Sequence, residues 1–320
     1  SRMNFEPLLG IPFPQLTWKR LKLLREGGVE NLALCGGSMP PEKIPWNPNF
    51  EILSRFQWQP DLDIRETIEE LARTWAGQKY WKILVRAWDE TEKAILAYPG
   101  TTGLYATIGF AWYRLWVRPF VPDLERVAPS ERELYERFMC TTPHNPNNVD
   151  LSKDILFTLT TPEKSRTDVE RMDKNVWAPL EKAIRILEEP AALKPESILY
   201  DQWIRLQALR CWLKTQRNCA AWIASVHGCL NAEDSNEYDK SRRVLDHMID
   251  NEIDNTRSLI LLFESGVEFM ALAEQGETPL IYGKNLPLLL EKRIQLMEKH
   301  REDTPRIDPD YMMRRAGEKL

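Results

Sequence analysis

Glu6 closes a short extended run, Asn4-Phe5-Glu6, and is followed by Pro7. At the carboxyl end of a strand in a parallel α/β layer, such an acid points into the mouth of the layer. Its other reading is a solvated loop carboxylate. Trp46-Asn47-Pro48-Asn49 lies in a Pro- and Asn-rich loop. An exposed indole stacks on the apolar face of a pyranose, and side-chain amides fork to its hydroxyls. Equally, Asn49 can cap a helix beginning at Phe50, with Trp46 packed as a staple. Tyr105 and Arg114 belong to an aromatic band that also holds Phe110, Trp112, Tyr113 and Trp116. Such a band builds either a core or a cleft wall, and these two members need polar partners in either setting. Glu252 falls in helical register with Leu245, Met248, Ile249, Thr256 and Leu259. A carboxylate on an apolar stripe must pair with a cation from a neighbouring helix or face a cavity. Glu268 is similarly placed. An acid, an aromatic ring and amides opening on one face are the components of a half-site for a sugar.

The elements that must position these residues change character along the chain. Residues 4–9 read as an extended run, 16–26 as an amphipathic helix closed by Gly27-Gly28, and 29–35 as a buried strand. That order is one β-α-β unit, the repeat of a parallel α/β fold. One unit cannot make a stable sheet, so it is expected either to be part of a barrel or to lean on a helical body. After residue 35 the hydrophobic period becomes that of helices. Helices are expected over 64–75 and 79–97, separated by Gly77, over 162–188 with a kink, over 195–230, over 235–275 and over 286–301. The fold class expected is mainly α, a short N-terminal β-α-β remnant of a (β/α)8 barrel followed by a multi-helix bundle. The corresponding division is residues 1–60 for the terminal barrel elements and 61–320 for the helical domain.

Composition narrows the function classes. A net charge of −5 over 320 residues, with basic runs diluted by acidic neighbours, argues against a nucleic-acid partner. No apolar stretch approaches the roughly 20 residues of a membrane span. Cys35, Cys140, Cys211, Cys219 and Cys229 form no C-x-x-C pair and are read as reduced thiols. His144, His227, His247 and His300 lack metal-ligand spacing, so neither metal nor other cofactor is expected. Ser1-Arg2-Met3 opens no charged-then-apolar segment. A leader upstream of these residues stays open, and the compartment is unconstrained.

The order of motifs in the first 60 residues resembles the C-terminal end of bacterial glycoside-hydrolase-like (β/α)8 barrel proteins of the hexosaminidase type. It is carried by Asn4-Phe5-Glu6, Pro12-Phe13-Pro14, Leu23-Leu24-Arg25-Glu26-Gly27-Gly28-Val29, Leu34-Cys35-Gly36-Gly37 and Pro45-Trp46-Asn47-Pro48-Asn49. Trp88-Asp89 through Tyr98-Pro99, residues 262–268 and 282–292, and Pro305-Arg306 extend it over most of the chain. Gly36-Gly37-Ser38 stands where the family carries an aromatic, and Lys43-Ile44-Pro45 lengthens the following loop. The resemblance implies part of a carbohydrate-active hydrolase, without the upstream strands that usually hold the catalytic carboxylate pair. Glycoside hydrolysis needs two carboxyl groups across the scissile bond, and Glu6 is the one barrel-mouth candidate here. The expectation is therefore a C-terminal part of a glycosidase, bracing the barrel and inactive alone. Its carbohydrate contacts would come from Glu6, Trp46, Asn47, Asn49, Tyr105, Arg114 and Glu252. The alternative is a non-catalytic helical scaffold or interaction protein. The sugar, the linkage and the oligomeric state are not readable.

Overall fold

A computed structural model describes residues 8–32, 44–99, 117–136, 162–270 and 285–306. Within them the protein is mainly helical, as the 3.6-residue periodicity implies. Helix α1 spans Pro14–Glu26, α2 Pro48–Trp58, α3 Ile64–Ala97 and α4 Pro129–Glu136. After these come α5 Pro162–Asn175, α6 Trp177–Leu193, α7 Ile198–Leu230, α8 Ser235–Leu262 and α9 Leu286–His300.

Local chemistry explains most boundaries. Pro14 and Pro48 open α1 and α2, where the missing N–H of proline costs nothing. Asp63 and Asp234 cap α3 and α8 by accepting from the backbone N–H of Glu66 and Glu237. Gly77, with φ 72° and ψ 174°, breaks α3 where two helices were expected to part. The expected helix over 235–275 stops at Leu262 instead. A 3-10 turn, Phe263–Ser265, and Gly266 at φ 75° redirect the chain there, as a left-handed glycine beyond a helix end does.

Helix α7 is the axis of the body. It packs against α3, α5, α6 and α8, and its apolar side chains are buried nearly all round, including Leu199, Leu209, Trp212, Trp222 and Val226. Two indoles of this core have their N–H groups satisfied by buried acceptors. Trp88 Nε1 donates to Gln202 Oε1 at 3.1 Å and Trp222 Nε1 to the Val121 carbonyl at 2.8 Å. The Trp222 ring stacks on Phe120 with centroids 5.4 Å apart.

The β-α-β unit expected at the N-terminus is not shown, and residues 4–7 and 33–35 of its two expected strands lie outside the described residues. No β-strand occurs among the described residues; Leu8 makes an isolated antiparallel bridge with Met270. Leu8 is buried in the main apolar cluster together with Ile11, Leu16 and Ile52. Residues 29–32 form no strand, and Val29 and Leu32 are 42% and 41% exposed. The reason is local. Gly28 at φ 83° turns the chain away from α1, and only two of these four residues are apolar.

Helices α1 and α2 instead pack on each other and on α3. Glu92 of α3 joins them, its Oε1 accepting from the backbone N–H of Gln15 at 2.7 Å and of Leu16 at 3.4 Å. A carboxylate at a helix N-terminus satisfies donors the helix itself leaves open. Beside it, Gln15 Nε2 donates to Asp89 Oδ1 at 2.6 Å, and Arg65 pairs with Asp89 at 3.1 Å.

Candidate functional site

Three segments far apart in sequence enclose a cleft of about 620 Å³. Pro45 and Trp46, just before α2, form one wall. The first turns of α7 and the residues before it supply Glu196, Ser197, Tyr200, Asp201 and Arg205. The loop after α8, Ser265 through Glu268, closes the other side.

A buried ion pair holds this arrangement. Arg205 is fully buried and Asp201 nearly so. Arg205 Nε donates to Asp201 Oδ2 and NH2 to Oδ1, both at 2.8 Å, a two-point fork one helical turn apart. Arg205 NH1 donates to the Leu9 carbonyl at 2.7 Å and the Glu268 carbonyl at 3.2 Å. One guanidinium therefore ties α7 to the N-terminal segment and to the loop after α8. Leu9 N–H completes the seam by donating to the Phe269 carbonyl at 2.8 Å. Gly10 is required beside it. Its φ is 69°, and a Cβ there would come within 2.8 Å of Ile44 Cγ2 and 3.0 Å of Arg205 NH1.

Trp46 is half-buried, packed against the main core on one side while lining the cleft on the other. Tyr200 is also half-buried; its hydroxyl donates to the Ser265 carbonyl at 3.4 Å, and its ring lies 6.1 Å from that of Trp203. Two aromatic side chains beside carboxylates can receive a ligand with apolar faces and polar edges.

Of the residues singled out in the sequence, Trp46 and Glu268 line this cleft. Asn47 takes the capping role that Asn49 was expected to fill. Asn47 is the N-cap of α2, its side chain accepting from Phe50 N–H at 3.1 Å. Asn49 lies inside the first turn and bridges to the chain before α1. Its Oδ1 accepts from Phe13 N–H and its Nδ2 donates to the Ile11 carbonyl, both at 2.7 Å. Pro48 was the missed signal, since proline at the first helical position puts the cap one residue earlier. Both amides make hydrogen bonds within the fold.

Glu252 sits fully buried between α7, α8 and α9. Its carboxylate accepts from Thr215 Oγ1 at 2.6 Å, Asn218 Nδ2 at 2.7 Å and Arg293 NH1 at 2.8 Å. Arg293 in turn donates to the Arg118 carbonyl at 2.8 Å and to Thr256 Oγ1 at 2.6 Å. This is the cation pairing that an acid on an apolar stripe requires, and it lies away from the cleft. Glu6, Tyr105 and Arg114 lie outside the described residues.

The sequence reading missed Tyr200, Asp201 and Arg205. Their signal is the one acid of α7, four residues before an arginine, a spacing that pairs on one face.

Among the described residues, other reactive groups do not form a second centre. The thiols of Cys211 and Cys219 are pushed up to about 12 by burial, which leaves them protonated and unreactive. Burial, followed by the charge of Asp89, raises Glu92 to about 7 against the opposing N–H groups of Gln15 and Leu16 and the charge of Lys19. Its oxygen is already committed to α1. No group of three or more His, Cys, Asp or Glu side chains that could hold a metal ion occurs among the described residues, and no helix there is long and apolar enough to cross a membrane. Compared with known proteins, the chain matches no family model, no curated protein and no solved structure.

Proposed function

We propose that this chain is the carbohydrate-contacting C-terminal part of a glycoside hydrolase-like protein, with the Trp46–Tyr200 cleft as its sugar-binding surface. The observation that carries the reading is the convergence of Trp46 and Tyr200 with Glu196, Asp201 and Glu268 around one open cleft. Aromatic faces supply stacking area at low entropic cost, and carboxylates accept hydroxyl hydrogen bonds at the ring edge. In this reading residues 1–60 are the last elements of a (β/α)8 barrel, as the resemblance of their motifs implies. The helical body over 61–320 braces that barrel through α3 and α7. The cleft binds and orients the glycan; hydrolysis, which needs two carboxyl groups across the bond, belongs to the joined barrel.

The test is ligand-observed NMR and calorimetry on the full chain with neutral and charged oligosaccharides. Saturable binding that Trp46→Ala and Tyr200→Ala each weaken supports the proposal. Binding by no saccharide, with both variants folded, overturns it. That outcome would favour a non-catalytic helical scaffold. One observation already points that way: Asn47, Asn49 and Glu252, all candidate sugar contacts, are bonded within the fold itself.

A further inference from the structure

We infer that the cleft selects a cationic, amine-bearing glycan over neutral or acidic ones, an inference that rests on reading the cleft as a sugar site. The argument is one of charge. Its ionisable lining among the described residues is Glu196, Asp201, Glu268 and Arg205. Three are acids. The guanidinium of Arg205 is held by the Asp201 carboxylate and by the Leu9 and Glu268 carbonyls. No Lys and no other Arg lines the cleft among the described residues. Among the described residues a uronate, sulfate or phosphate on a sugar therefore meets no uncommitted cation, and such groups are normally received by one.

The remaining positive contribution is the N-terminus of α7, equivalent to about half an elementary charge. Asp201 already occupies the first turn of that helix. Setting Glu268 aside and cancelling Asp201 against Arg205 still leaves the full negative charge of Glu196, which is exposed just before α7. The carboxylate outweighs the helix end by about a factor of two. The aromatic lining acts in the same direction. Faces of Trp46 and Tyr200 attract a cation through the ring quadrupole and stack on the apolar face of its sugar ring. A protonated amino group on a pyranose satisfies both demands. An acetylated amine keeps the stacking and loses the charge.

The experiment compares three tetrasaccharides on the full chain by calorimetry at pH 6: β-1,4-linked glucosamine, its fully N-acetylated counterpart and an oligouronate. The amine form should bind about tenfold more tightly than the acetylated form at low salt. That preference should shrink as ionic strength rises, since exposed charges are screened over about 10 Å at 0.1 M. Glu196→Gln should reduce the preference several-fold, weakening the amine form more than the acetylated tetramer. Equal affinity for amine and acetylated forms, with both lost in Trp46→Ala, overturns the charge selection and leaves the sugar site standing. Tightest binding of the uronate overturns it as well. Amine binding that persists unchanged in Trp46→Ala places the contact elsewhere on this acidic protein and overturns it too. Binding of none of the three removes the sugar site and the selection together.

Discussion

Glu252→Ala would strand the Arg293 guanidinium, whose side chain is 1% exposed, without its carboxylate between α8 and α9. Breaking a buried pair from one side costs about 3–5 kcal/mol, because the remaining charge cannot reach water. Urea unfolding should show a loss of that size, and a loss below about 1 kcal/mol would mean that water or another acid reaches Arg293. Glu252→Gln should cost less, since an amide oxygen can still accept from Arg293 or Thr215. Gly10 is the other sensitive single position. Gly10→Ala forces a side chain into a φ of 69° and against Ile44 and Arg205. A cost of roughly 1–3 kcal/mol is expected from backbone strain alone. Because Arg205 must shift, binding at the cleft should weaken in the same variant. At this scale the sequence identified types better than roles. A capping amide, a bridging amide and a sugar-binding amide look alike until the partner is known. Asn49 finds its partners 36 and 38 residues away, at Phe13 and Ile11.

Among the elements, the joint between α1 and α3 is expected to respond to pH through Glu92. Its folded value is about 7 against an ordinary 4.5, so the folded chain holds the proton more tightly than the unfolded one. Below 4.5 both states carry it. As pH rises toward 7 the unfolded state releases it first, and stability falls across that window; above about 7 the loss is complete. The full effect is roughly 3 kcal/mol. Asp89, Arg65 and Lys19 face the same joint. Other carboxylates contribute oppositely: Glu131 is held below its usual range chiefly by its hydrogen bond to Lys299. The measurable quantity is therefore the difference between wild type and Glu92→Gln. The variant should gain on wild type from pH 5 to pH 8, and parallel profiles would show that Glu92 does not titrate in this window. The break of α3 at Gly77 and the end of α1 at Gly27 were legible, because these glycines act within one turn. The end of α8 at Leu262 was not. Its apolar spacing runs past Leu262, while the left-handed turn at Gly266 is secured by neighbours, among them Tyr200 reaching the Ser265 carbonyl.

For the whole molecule, hydrogen exchange should grade outward from α7. This helix packs on α3, α5, α6 and α8, so its central amides, around Trp212, should open only with global unfolding. Residues 27–32, with Val29 and Leu32 exposed, should exchange orders of magnitude faster. Equal protection in both regions would mean that residues 29–32 are covered in solution by something more than the described body. The helical class of the protein was in the sequence because helix periodicity and its glycine and proline breaks are local, needing no knowledge of what each face meets. The need for Glu252 to find a cation was there as well, because no buried carboxylate on an apolar stripe is tolerable alone. The cleft was not there. It exists because Arg205 reaches Leu9, 196 residues away, and Glu268, 63 residues away. Tertiary packing alone could place Trp46 beside Tyr200 and Asp201 and leave Asn47, Asn49 and Glu252 inside the framework, since which side chain faces a cavity depends on partners that sequence spacing does not encode.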